Sequence, residues 1–294
     1  MLFRFIRYLT YEKRASRHTI LAYQQDLESF QTFCEKSFEL TALEQASHAE
    51  IRAWIIQLVE EKNSASTVNR KISSLRAFYK FLVKNELIEL DPMVKIRLLK
   101  TPKRLPEFVQ EQEMDHVLEE SLFPQTFEGQ RDLLILKMLY YTGMRLSELV
   151  GLKTSDIDLY KSEVKVLGKR NKQRIIPILT DLKNNIQVYQ KEKEKSFSNL
   201  DEIPYFFVTN KGEQVYPMLV YRTVKMYLDL YAQTHKRSPH VLRHTFATHL
   251  LNKGADLNAV KDLLGHANLA ATQVYTHNTL DKLKAVFDQA HPKA

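Results

Sequence analysis

The sequence predicts a mainly α-helical protein in two parts. A helical bundle comes first, and a second domain combines helices with a small β-hairpin. Three observations lead there. Apolar residues recur at three- and four-residue spacing through most of the chain. The segment LLKTPKRLPEF, at 98–108, sets two prolines and three basic residues between the two halves. One pair of alternating runs, EVKVL and QRIIPI, brackets GKRNK as strands bracket a turn. The boundaries read as a bundle over 1–86, a linker over 87–106 and a second domain over 107–294.

Composition narrows the function classes. At 294 residues the chain is longer than one ordinary domain. No apolar run approaches the roughly 18 residues of a membrane span, and the start, MLFRFIRYLTYEKR, lacks the uninterrupted core of a signal peptide. Cys34 is the single cysteine, which excludes a disulfide framework and a cysteine-based zinc site. A soluble cytoplasmic protein without a membrane partner is expected. The net charge is +8, and residues 1–105 hold 18 Lys and Arg against 12 Asp and Glu. The basic excess gathers in the first third, as a polyanion-gripping module requires.

In the bundle, Leu2, Phe5, Ile6 and Leu9 keep helical spacing, and after a polar break so do Ile20, Tyr23, Leu27, Phe30 and Phe33, with Ser16 as N-cap. Ser47–Lys62 presents Ile51, Trp54, Ile55 and Leu58 on one face. A helix opening at Ser66 or Thr67 and running to Lys84 carries Val68, Ile72, Leu75, Phe78, Tyr79 and Leu82. Its other face shows Arg70, Lys71, Arg76 and Lys80, either a solvated face or a DNA-backbone contact.

In the second domain a polar helix spans about 110–120, and LLILKMLYY marks a buried one closed by Gly143. Arg145 follows at the head of RLSELVGL, within ion-pair reach of Glu148. SDIDLY reads as a turn, and the hairpin tip crowds Lys169, Arg170 and Lys172. Residues 181–195 form a polar helix with an exposed KEKEK end, YFFVTN a short strand, and Val220–Tyr231 an amphipathic helix. Ser238-Pro239 starts a helix whose Leu242, Phe246 and Leu250 face the core, leaving His240 and Arg243 on an exposed face. Asp256 and Gly265 bound the next helix, with His266 just beyond it. Asn268 caps a helix bearing Tyr275, and Thr279–Phe287 closes the chain as an amphipathic helix.

If Arg145, Lys169, His240, Arg243, His266 and Tyr275 converge, they suit phosphodiester exchange without a metal or nucleotide cofactor. Guanidiniums bind non-bridging phosphate oxygens in pairs. A tyrosine oxygen attacks phosphorus once a base and a cationic surround offset its pKa of about 10. A histidine serves as that base and a lysine protonates the departing oxygen. The rival metal chemistry has only His240 and His244 four apart, with no glutamate to complete an H-E-x-x-H motif.

These residues stand in boxes that resemble the tyrosine recombinases (phage integrase family), most closely the bacterial Xer type. TGMRLSEL resembles the first-arginine box, VLGKRNKQRIIPI the catalytic hairpin, HVLRHTFATHLL the H-x-x-R box and LLGHANLAATQVYTH the closing box. HTILAYQQDLESF and STVNRKISSLRAFYKFL are similar to the family's SAM-like core-binding domain. One departure is GKR in the hairpin, where relatives usually have GKG, with Lys172 the alternative to Lys169. The resemblance implies catalytic roles for all six residues, Tyr275 being the nucleophile. The basic hairpin tip with Arg170 and Lys172 reads either as a solvated turn or as a finger that reaches a DNA groove or phosphate.

It implies further a clamp on double-stranded DNA at a recombination site, four protomers on two sites, a 3′-phosphotyrosyl intermediate and a Holliday junction. The last helix would dock on a neighbouring protomer. Relatives of this length resolve chromosome dimers before division, usually with a related paralogue and with a cell-division DNA translocase as activator. An integrase of a mobile element, a type IB topoisomerase and a non-catalytic architectural DNA-binding protein are the alternatives.

Overall fold

The computed structural model describes residues 1–102, 107–168, 173–198, 203–265 and 290–291. It is mainly helical and divides into two compact units, Met1–Arg104 and Leu105–Ala294.

The first unit is built from α1 (Leu2–Arg7), continued by a π-helical turn at Tyr8–Glu12, then α2 (Arg17–Phe38), α3 (His48–Glu60) and α4 (Ala65–Lys84). Ser16 caps α2 by accepting from the Thr19 amide, and Ser47 with Glu50 forms a capping box on α3. The fourth helix opens slightly earlier than its sequence suggests. Ser64, not Ser66 or Thr67, accepts from the Thr67 amide, so Ala65 is already helical. Phe5, Phe30, Trp54, Ile72, Leu75, Phe78 and Leu82 fill the core, each burial contributing roughly 1.5–3 kcal/mol. The segment expected to be linker starts out packed: Met93 and Ile96 are buried, and Asn69 exchanges hydrogen bonds of 2.9 and 2.8 Å with the Leu99 backbone. A side-chain amide pairs an extended backbone as a neighbouring strand would, which keeps this stretch on the bundle.

The second unit contains α5 (Glu111–Val117), α6 (Phe127–Thr142), α7 (Leu146–Val150), β1 (Ile157–Asp158), β2 (Glu163–Leu167), β3 (Gln173–Pro177), α8 (Thr180–Ser196), α9 (Pro217–Tyr231), α10 (Pro239–Asn252) and α11 (Leu257–Leu264). Helix α6 is buried on nearly every side and serves as the axis against which α8 and α10 pack. The three strands form one antiparallel sheet in the order β1-β2-β3. Val164 lies opposite Ile176 and Val166 opposite Arg174, and all four are buried. An arginine therefore occupies an inward position on the sheet.

Three further expectations change in the second unit. SDIDLY supplies a short strand at its centre rather than only a turn. YFFVTN stays out of the sheet, touching other backbone through single bridges at Tyr205 and Val208. Its Phe206, Phe207 and Val208 are buried consecutively, so no face is left to alternate outward. The KEKEK end of α8 is not all exposed. Lys193 turns in and donates to the carbonyls of Tyr205 (2.7 Å) and Phe206 (3.1 Å), and burial pushes its ammonium down to about 8.

Helix α6 ends on Gly143 in the left-handed conformation (φ +58°). A Cβ there would lie 2.4 Å from Phe246 Cδ1 and 2.8 Å from Leu264 Cδ2. Backbone strain and overpacking both act at this position, so Gly143→Ala is expected to destabilise the second unit by about 2–4 kcal/mol. Urea denaturation followed by circular dichroism measures it.

Candidate active site

The site grows from the end of α6. After Gly143 the chain extends through Met144 to Arg145, the N-cap of α7. Glu148, in the first turn of α7, reaches back so that its Oε2 accepts the Arg145 backbone N–H at 2.7 Å. Its Oε1 accepts from Arg145 Nη1 at 2.7 Å, the ion pair that the sequence allowed. From the inward face of β3, Arg174 closes on the same carboxylate with a two-pronged contact, Nη1 to Oε1 at 2.8 Å and Nη2 to Oε2 at 2.9 Å. The Glu148 and Arg174 side chains are only 2% and 5% exposed. Fork-to-carboxylate geometry is what makes a buried ion pair tolerable.

A second structure holds the same guanidiniums. Helix α11 ends at Gly265 in the left-handed conformation, with carbonyls that no longer have intrahelical partners. Arg174 Nε donates to Leu263 O at 2.8 Å, Arg243 Nη2 to Leu264 O at 2.5 Å and Arg145 Nη2 to Gly265 O at 3.0 Å. Three successive carbonyls thus take three arginines from three elements. Arg243 also reaches back to Gly143 O, at the end of α6, at 2.5 Å. Both helix ends carry partial negative charge, which favours cations there.

The exposed face expected for Arg243 is therefore corrected. The residue is 7% exposed because its guanidinium fills the gap between two helix C-termini. Burial depresses its pKa, the nearby Arg145 and Arg174 add to that, and the value falls to about 10, still charged at neutral pH. Burial acts to raise Glu148, but the hydrogen bonds and charge of Arg174, joined by the hydrogen bonds of Arg145, outweigh it and hold the carboxyl below the usual range. Among the described residues, three cations and one anion leave the cluster at +2. Arg145 opens this charge to solvent, with 27% of its side chain exposed.

The remaining predicted residues fall as follows. His240 is exposed on the first turn of α10, one turn before Arg243. His244, its potential metal partner, is half-buried, and burial together with His240 lowers its pKa. Lys169, Arg170, Lys172, His266 and Tyr275 lie outside the described residues, as does the segment Thr279–Phe287.

The four basic residues of α4 divide. Arg70 pairs with the buried Asp26 yet stays about half exposed, and Lys80 is exposed. Lys71 lies 3.5 Å from Asp26 and over the Trp54 ring, while Arg76 donates to Ile96 O at 2.5 Å. Arg174 escaped the sequence reading. Its one signal there is the alternation of QRIIPI, which sets it on the same face as Ile176.

Comparison with known proteins agrees with this architecture. Residues 107–281 match the model of the Phage integrase family, and residues 2–86 match that of the phage integrase N-terminal SAM-like domain. The chain belongs to the phage integrase family of tyrosine recombinases.

It is 37% identical to tyrosine recombinase XerC of Bacillus subtilis, with 99% of this chain and 95% of that protein covered. It is 39% identical to XerC of Halalkalibacterium halodurans, covering 99% and 96%. Among solved structures, the fold resembles XerH bound to palindromic difH in a post-cleavage complex, with TM-score 0.73 at 22% identity over 97% of this chain and 83% of that one. It also resembles the Tn1549 transposon integrase in complex with transposon right end DNA, with TM-score 0.71 at 19% identity over 98% of both chains. The chain is thus a tyrosine-type site-specific recombinase whose relatives are XerC proteins.

Removing the one carboxylate in the cluster isolates three buried or half-buried cations. Glu148→Gln is expected to destabilise the second unit by about 3 kcal/mol or more, the scale of breaking a buried pair. A lowered urea midpoint with an unchanged slope reads this out.

Proposed function

We propose that the recombinase cuts and rejoins DNA through a 3′-phosphotyrosyl intermediate, with Tyr275 as nucleophile. The observation that carries this reading is the convergence of Arg145 and Arg243 on the adjacent carbonyls of Gly265 and Leu264, directly before His266 in the chain. A guanidinium has donors beyond the two engaged here on each, so both arginines keep N–H groups for the non-bridging oxygens of a scissile phosphate. Tyr275 Oη attacks phosphorus, and the 5′ oxygen leaves with a proton from Lys169. The products are a 3′-phosphotyrosine and a free 5′-hydroxyl. His240 and His266 take the tyrosine proton and steady the non-bridging oxygens. A 5′-hydroxyl of the partner duplex then attacks the phosphotyrosine and releases Tyr275. Each step exchanges one phosphodiester for another, so neither ATP nor a metal is called for.

The charge on the cluster suits the double negative charge of the transition state more than the single charge of the bound diester. That difference lowers the barrier rather than merely tightening binding. On the first unit, Arg70 and Lys80 grip the DNA backbone, with Arg170 and Lys172 on the second. Lys71 and Arg76 serve mainly to hold the bundle together.

The similarity to XerC proteins over nearly the full chain supports a role in resolving chromosome dimers in the cytoplasm before division. In that role four protomers act on two double-stranded sites through a Holliday junction. A related paralogue shares the tetramer, a cell-division DNA translocase triggers it, and Thr279–Phe287 links neighbours.

A nicked duplex carrying the recombination site, incubated with the protein in EDTA, tests the chemistry. Wild type is expected to form a protease-sensitive DNA adduct and Tyr275→Phe none; an adduct formed by Tyr275→Phe, or only with added metal, overturns the mechanism. Arg145→Ala is expected to keep DNA affinity while slowing adduct formation by ~10²–10³-fold.

The division of α4 has its own measurement. Lys80→Ala is expected to weaken DNA binding at every sequence and to lower the slope of log affinity against log salt by about one. Lys71→Ala is expected to leave that slope unchanged and to lower the stability of the first unit instead.

A further inference from the structure

Arg174 differs from the other two arginines of the cluster. Its Nε, Nη1 and Nη2 all bond to protein partners, Leu263 O and the two oxygens of Glu148. Its side chain is 5% exposed, whereas that of Arg145 is 27% exposed. All three of its guanidinium nitrogens are engaged by protein groups, and it is less open to solvent than Arg145. Yet it stands on the same carboxylate as Arg145 and on the same helix end as Arg145 and Arg243.

Without Arg174, the Glu148 carboxylate has one cationic partner, Arg145, 2.7 Å away. That pair is neutral, and a neutral pair offers a phosphate little. With Arg174 in place, Glu148 is already balanced from behind. The same carboxylate then orients Arg145, through the backbone amide and Nη1, without cancelling its charge. The contact of Nε with Leu263 O pins α11 where Leu264 O and Gly265 O meet the other two guanidiniums. Gly265 fits this packing, since a Cβ there would come within 3.2 Å of Arg174 Cδ.

We infer that Arg174 is a positioning residue for the recombination reaction: it neutralises and orients Glu148, so that Arg145 presents both its geometry and its full charge to the scissile phosphate. This rests on the reading of Arg145 as a phosphate-binding group. The carboxylate held low against the pull of burial agrees with it, since Arg174 is the larger of the two opposing influences on Glu148.

The inference separates charge from mere folding, because it makes the damage reversible. Arg174→Gln leaves Glu148 to cancel Arg145, so cleavage falls while DNA affinity holds. Adding Glu148→Gln removes the surplus anion and returns the cluster to +2. Arg174→Lys keeps the charge but loses the fork.

The experiment uses the full chain and the nicked duplex, with single-turnover adduct formation at saturating DNA and affinity measured separately by fluorescence anisotropy. Arg174→Gln is expected to cleave ~10²-fold more slowly with affinity within about threefold of wild type. The pair Glu148→Gln with Arg174→Gln is expected to regain at least about tenfold of that loss, and Arg174→Lys to stay within about tenfold of wild type.

Wild-type cleavage by Arg174→Gln overturns the inference, and so does a folded double variant no faster than Arg174→Gln. Equal losses in Arg174→Lys and Arg174→Gln overturn it as well. Thermal melts accompany each variant. If Arg174→Gln does not fold, the double variant decides against wild type: cleavage within about tenfold supports the inference, and a loss beyond ~10²-fold in a folded double variant overturns it. Wild type and Tyr275→Phe run alongside. Failure of wild type to form an adduct, or an adduct from Tyr275→Phe, defeats the phosphotyrosine mechanism itself and is distinct from every outcome that concerns Arg174.

Discussion

The buried contact between Glu148 and Arg174 is the interaction on which the second unit's charged centre depends. Three guanidiniums gathered in one place repel one another, and taking each from water costs several kcal/mol. One carboxylate and two helix C-termini offset that cost. Glu148 accepts from Arg145 and Arg174, while α11 and α6 offer carbonyls that a helix end leaves without partners. The arrangement keeps a net positive charge close under the surface without surrendering it to a second anion. A surface cluster of arginines would hold such charge more cheaply, but water and salt would screen it.

The fold supplies this through its short elements. Helix α7 is five residues long, and its value lies in where it starts, because the Gly143 turn sets Arg145 and Glu148 on one side of the α6 terminus. Strand β3 contributes one inward arginine where a core strand would hold an aliphatic residue. Helix α11 contributes its end. None of these elements is stable alone, and α6, buried on nearly every side, is the frame that brings their ends to one place.

In the first unit a related arrangement has the opposite consequence. Asp26 is 1% exposed and draws Arg70, Lys71 and Ser74 toward itself. The basic face of α4 is therefore partly internal: Lys71 covers Trp54, and Arg76 ties the chain at Ile96. Helical spacing showed four cations on one side of α4 but not that a buried carboxylate on α2 would claim two of them.

How much was legible follows the range of the forces involved. Helix existence, caps at Ser16 and Asp256, and the glycines at 143 and 265 come from interactions within a few residues, and the sequence states them directly. The pairing of Arg145 with Glu148 is likewise local. Fold class and family were legible because the apolar periodicities and the arginine and histidine boxes are local patterns as well.

Burial of Arg243, the inward turn of Lys193 and the role of Arg174 were not legible, since each depends on a backbone carbonyl or carboxylate from a distant element. Periodicity assigns a residue to a face, whereas a long side chain obeys the partner its tip can reach. By itself, then, the sequence determined most of the helices, the hairpin strands and the family. Only the tertiary structure decided which charges face inward, because that depends on where helix ends meet.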